Sequence, residues 1–229
     1  GIVFASALIA SSVIINFSYK IYHYNKNKNY NLHFYYLISV LVFIIYKMNR
    51  YSEYGNDAPS HFMFFFLISE LIILDKKNIK KISNCLIIIL FIILNKITLL
   101  MSAFFALFIL KKEKILELLK LKRFYFLIFF ALLWFTKNII VSGCLIFPVK
   151  STCLDSLLWT DINLVTKISN ENEAYTKDWP SYSNSDLLKK EISMEYYNKD
   201  FVWIKYWLKG HFLKIFEILI PYILFLLLL

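Results

Sequence analysis

The stretch "ISNCLIIILFIILNKITLLMSAFFALFIL", residues Ile82 to Leu110, is 29 residues long and is interrupted at Asn95 and Lys96. A helix crosses the hydrocarbon core of a membrane with about 20 apolar residues. This run is therefore either one over-long helix or a hairpin of two short ones. The choice sets the side of a membrane on which every later segment falls.

Charge makes the choice. Ser18 to Asn31 carries Lys20, Lys26 and Lys28, a charge of +3. Asp75 to Lys81 carries four Lys against one Asp, again +3. Lys111 to Arg123 carries five Lys and one Arg against Glu113 and Glu117, or +4. Together these account for the whole formal net charge of +10. Loops rich in Lys and Arg stay in the cytoplasm, so all three belong inside. An even number of crossings then separates Asp75–Lys81 from Lys111–Arg123, and the 29 residues form a hairpin with Asn95 and Lys96 at its outer tip.

Composition puts the chain in a membrane in the first place. It has 229 residues, 59% hydrophobic, 19% aromatic and only 18% charged, with four Gly and four Pro. The mean hydropathy is +0.57, well outside the range of soluble globular chains. Further apolar runs are Gly1 to Phe17, Leu32 to Met48, Phe124 to Phe147 and Phe212 to Leu229, with a shorter one from His61 to Leu74. The chain opens and closes inside apolar runs, so a piece of a longer polytopic protein is expected. The predicted fold is an all-α helical membrane bundle of about seven crossings. Residues 1–147 hold six of them, with an external loop at 49–60. Residues 148–211 form one long extracytoplasmic loop, and 212–229 begin a further helix.

That long loop is near neutral, with eight Lys and nine acids between Pro148 and Lys209, as a translocated segment can be. Cys144 and Cys153 lie nine apart at its entrance, on the side where disulfides persist. They are either a bridge that pins the loop to the end of its helix or two free thiols. Cys85 falls in a span, where packing accounts for it. Trp179–Pro180 reads as a turn. Asp186 to Tyr197 reads as a short helix with Ser185 at its N-cap. Phe201, Trp203, Tyr206 and Trp207 read as an interfacial aromatic belt. No thiolate metal spacing, glycine-rich dinucleotide motif or phosphate-binding loop is present.

The chemistry-bearing stretch is "RYSEYGNDAPSH", Arg50 to His61. Glu53, Asp57 and His61 recur every four residues and would share a face if helical. Gly55 and Pro59 argue instead for a loop with a helix starting near Pro59 or Ser60. Asp57 then precedes a helix N-terminus, where the dipole favours a carboxylate. A cap explains Asp57 alone. It leaves Arg50, Glu53, Asn56 and His61 together at a membrane edge, where ionisable groups usually serve a function. Lys96, at the tip of the hairpin, is placed to neutralise a phosphate or simply to snorkel. Glu70, inside the short span, must face protein or pair.

"NRYSEYGNDAPSH" and "SGCLIFPVKSTC", with the helix-hairpin layout, resemble a poorly characterised family of large bacterial polytopic membrane proteins. That family is similar in architecture to the GT-C superfamily of lipid-phosphosugar glycosyltransferases. The resemblance implies transfer of a sugar from a polyprenyl-phosphate donor to an extracytoplasmic acceptor. It implies Asp57 or Glu53 as the catalytic carboxylate, acting as general base or through a divalent metal ion. His61 stands beside it, and Lys96 or Arg50, with Asn56, would hold the donor. The implied partners are the lipid bilayer, a lipid-linked sugar and a glycan acceptor, with no nucleic acid. The implied location is a bacterial inner membrane, with the motif loop and 148–211 facing the periplasm. Two other classes compete. A transporter or flippase usually shows glycine- or proline-broken spans, which are scarce here. An O-antigen polymerase or ligase usually relies on external arginines, and this chain has only Arg50 and Arg123.

Overall fold

The computed structural model describes residues 2–47, 57–110, 112–177 and 193–228. The regular structure of these residues is helical, with no strand among them; their one β-bridge joins Cys144 and Cys153. The chain divides into two compact units, Gly1–Ala131 and Leu132–Leu228.

The first unit holds α1 (Ile2–Lys26), α2 (Leu32–Lys47), α3 (Ala58–Ile72), α4 (Ile79–Asn95), α5 (Ala103–Ile109) and α6 (Lys112–Leu118). It also holds the first half of α7 (Lys122–Ser142). Local sequence sets the starts. Pro59 lies in the first turn of α3, where its missing N–H costs no helical bond. Asn78 caps α4, its side chain accepting from the backbone of Lys80 and Lys81 at 3.1 and 3.2 Å.

The 29-residue run is a hairpin. α4 ends at Asn95, Lys96 is extended at φ −142° and ψ 101°, and a 3₁₀ turn (Ile97–Ser102) leads into α5. The turn and α5 both pack back on α4.

α3 is the shared element of two apolar cores. Phe62 packs with Val13, Phe17 and Leu37. Leu67, on the opposite side, packs with Ile82, Ile89 and Ile92 of α4. α7 is different, for none of its residues is buried.

By length and composition α1 from Val3 and α7 are long enough and apolar enough to cross a membrane. Leu32–Tyr46, Ala58–Ile72 and Ile97–Ile109 are apolar but shorter. Several boundaries differ from those expected. α1 does not stop at Phe17 but continues to Lys26, so Lys20 is a helix residue rather than a loop cation. α7 ends at Ser142 rather than at Phe147. Gly143 stops it in the left-handed region at φ 73°, and its N–H closes the last turn on Ile139 O at 2.8 Å.

The second unit is more ordered than a polar loop. It contains α8 (Ile162–Thr176), α9 (Met194–Asn198) and α10 (Val202–Leu228). α8 is too polar for hydropathy to reveal. Asp161 starts it by accepting from Leu164 N at 3.0 Å, and Val165 and Ala174 are its buried residues. Most of the helix expected over Asp186 to Tyr197, with Ser185 and Trp179–Pro180, lies outside the described residues. In the described part Ser193 caps α9, accepting from Tyr196 N at 3.2 Å. α10 begins inside the expected loop, ten residues ahead of Phe212. Trp203, Trp207 and His211 follow one another along it at four-residue spacing, with ring centroids 6.3 and 4.7 Å apart.

Candidate functional site

The N-terminus of α3 and the tip of the α4 hairpin come together. Asp57 occupies the N-cap position of α3, yet its side chain makes no capping hydrogen bond. Its Oδ2 is instead paired with Lys96 Nζ. One residue before Lys96, the Asn95 amide donates to Ser60 Oγ at 2.8 Å. Two side-chain links thus tie the hairpin tip to the first turn of α3. Asp57 has 48% of its side chain exposed and Lys96 21%, so the pair is reachable from one side.

His61, half-buried, lies one turn into α3. It hydrogen-bonds the Asp57 backbone and lies in the field of both charges. The arrangement brings together three of the residues singled out in the sequence, Asp57, His61 and Lys96. Arg50, Glu53 and Asn56 lie outside the described residues. A carboxylate held beside an ammonium can accept a proton, while the ammonium can accept a phosphate in exchange. Among the described residues no three His, Cys, Asp or Glu converge, and the Asp57 carboxylate is already paired with Lys96.

A second polar cluster, which only Glu70 announced in the sequence, occupies the other end of α3. Glu70 accepts from Lys20 at 2.7 Å, and the same ammonium lies 5.6 Å from the Phe66 ring centre. His33 is buried, with Nε2 2.8 Å from Ser69 Oγ and Nδ1 2.8 Å from Tyr24 OH. The linkage joins α1, α2 and α3. A lone histidine opening an apolar segment carries no signal of such partners, because they come from residues 9 and 36 positions away. Asp57 and Glu70 are 13 residues apart on α3, or about 20 Å at helical rise, with an apolar stretch between.

The basic segments cluster with Glu70. Lys20 reaches it directly. Arg123, at the start of α7, donates to Asn84 Oδ1 near the start of α4 at 3.2 Å.

In the second unit Cys144 and Cys153 form a disulfide. Around it Leu145 N donates to Thr152 O at 2.9 Å and Leu154 N to Gly143 O at 2.8 Å. Trp159 Nε1 returns to Ile139 O at 3.0 Å. A cavity of about 330 Å³ is lined there by Lys137, Trp159 and Asp161.

A family model described as "Domain of unknown function (DUF8201)" matches residues 4–229. The chain belongs to that family. No curated protein and no solved structure matches the chain. The DUF8201 match runs through both units, so the Asp57–Lys96 pair and the Cys144–Cys153 loop fall inside one family domain.

Proposed function

We propose that the chain forms a polytopic inner-membrane bundle of about seven crossings that transfers a sugar from a polyprenyl-phosphate donor to an acceptor outside the cytoplasm. The pairing of Asp57 with Lys96 carries this reading: a partly exposed carboxylate and ammonium held at the end of α3 remote from the basic segments. Two further observations support the membrane part. α7 is apolar with no buried residue, and the polar groups of α3 sort to its two ends.

With the basic segments inside, the Asp57 end faces out. There Lys96 exchanges Asp57 for the donor phosphate. Asp57, released from the pair, takes the proton of the acceptor hydroxyl as its oxygen attacks the anomeric carbon. The bond from that carbon to the phosphate oxygen breaks, and polyprenyl phosphate leaves with its charge on Lys96. His61 orders the Asp57 backbone.

Two measurements test this. Membranes containing the full chain are given a panel of radiolabelled polyprenyl-phosphate sugars, with and without Asp57→Asn. In parallel, Thr98→Cys in a Cys85→Ser background is labelled with an impermeant maleimide. Transfer that survives Asp57→Asn, or labelling only after the membrane is breached, overturns the reading.

Membrane transport is a second reading, favoured by one observation: the Lys20–Glu70 pair and the His33 linkage lie within apolar helices, as proton relays do. Glu70→Gln that stops solute uptake, in a chain without transferase activity, would establish it.

A further inference from the structure

Arg123 opens α7 and reaches α4, where a guanidinium nitrogen donates to Asn84 Oδ1. An arginine carries five donors, and no carboxylate among the described residues pairs with this one. Asn84 stands one turn along α4 from Lys80 and Lys81, and Lys122 precedes Arg123. Four cations therefore gather where α4 and α7 begin. Glu70, the acid within α3, is already held by Lys20.

Beside Arg123 a cavity of about 500 Å³ runs between α4 and α7. Ile87, Leu90 and Leu94 wall it on one side, Phe126, Leu127 and Phe130 on the other. Arg123 borders it at the start of the two helices and Asn95 at the far end. From Arg123 to Phe130 the groove is about 10 Å long at helical rise, and its volume is that of an ordinary small-ligand site. A greasy slot with a basic mouth is complementary in both charge and polarity to one class of molecule.

We propose that this groove holds an acyl chain of an anionic phospholipid, with the lipid phosphate taken by the Arg123 guanidinium. The fork of an arginine matches a phosphate in two parallel hydrogen bonds. The neighbouring lysines add the general attraction of basic membrane-edge segments for anionic headgroups. The proposal rests on the membrane part of the reading above and is independent of its enzymatic part.

The full chain, purified in a neutral maltoside detergent, is titrated with dioleoylphosphatidylglycerol, dioleoylphosphatidylcholine or inorganic phosphate while its thermal midpoint is followed. Phosphatidylglycerol alone raises the midpoint. Arg123→Gln weakens that response roughly tenfold or more in apparent affinity, and Arg123→Lys weakens it less. Leu127→Trp, which fills the slot, abolishes the response. Midpoints without lipid report whether each variant is folded, and the two milder changes carry the test if Arg123→Gln is not. An equal response to phosphatidylcholine, an equal response to free phosphate, or a full response in Arg123→Gln each overturns the proposal. Asp57→Asn keeps the lipid response whether or not it loses sugar transfer. Loss of the chain from carbonate-washed membranes would instead sink the membrane reading itself.

Discussion

Lys96 pairs with Asp57 across 39 residues of chain, joining the tip of one helical hairpin to the N-cap of another helix. The pair uses an aspartate at an N-cap position that leaves the cap unmade. An N-cap hydrogen bond is typically worth about 1 kcal/mol. Exposed ion pairs contribute about 0–1 kcal/mol. Stability alone does not favour this choice of partner.

Asp57→Asn and Lys96→Met therefore each shift unfolding stability by less than about 1 kcal/mol, since Asp57 is 48% exposed and solvent screens the pair. Sugar transfer falls by roughly a hundredfold or more in Asp57→Asn. Thermal midpoints measured beside transfer rates separate the two effects. A midpoint that collapses in step with activity would mark the pair as structural.

The buried His33 linkage behaves in the opposite way. Ser69→Ala leaves one nitrogen of a histidine that is 2% exposed without its partner, at a cost of about 1–3 kcal/mol. Ser60→Ala removes the hydroxyl that accepts from the Asn95 amide, a part-buried contact, and costs less. Comparing the two midpoints checks the ranking.

Glu70→Gln strands the Lys20 ammonium, which is 20% exposed, and costs roughly 1–3 kcal/mol. The double variant Lys20→Met, Glu70→Gln recovers part of that loss, because no unpaired charge remains. A double-mutant cycle measures the coupling. Additive single costs would show that the two residues do not act as a pair.

Gly143→Ala is the most damaging single methyl in the second unit. Its φ of 73° disfavours any side chain, and the added Cβ would stand 1.8 Å from Thr160 Oγ1 and 2.7 Å from Thr160 Cβ. The cost is at least about 2 kcal/mol. Adding Thr160→Ala removes the first clash and keeps the second, so recovery is partial. The yield of the Cys144–Cys153 disulfide on non-reducing gels reads this locally.

The disulfide closes a loop of nine residues' separation, worth roughly 2–3 kcal/mol in the chain-entropy account. Cys153→Ser lowers the thermal midpoint accordingly, and reductant then lowers it no further. Alkylation of the unfolded, unreduced protein modifies Cys85, which is free and buried in the fold, and leaves the bonded pair unmodified.

The linear order of residues was enough to determine several things. Runs of Ile, Leu and Phe favour helices, and the basic segments on either side of the 29-residue run call for an even number of crossings, so the reversal at Asn95 and Lys96 was legible. Pro59 announced the start of α3 because the first turn is where a helix accepts proline at no cost in hydrogen bonds. Glu70 declared a need for a partner, because a carboxylate among apolar neighbours is costly when unpaired. α8 stayed hidden, since its polar face masks two inward residues that matter only once something packs on them. The extension of α1 to Lys26 was hidden too, because a lysine reads as a loop until its partner is known.

Only the tertiary structure decided which groups meet. Asp57 could have capped its own helix, and Lys96 could have reached solvent. His33 was one apolar-segment histidine among many such possibilities. Contacts of this kind depend on the register and packing of helices far apart in sequence, through which α3 brings Asp57 to the hairpin tip and Ser69 to His33. Hydropathy and charge specify how often the chain turns. They carry no information about which face of one helix meets which face of another, and the candidate site is made of such meetings.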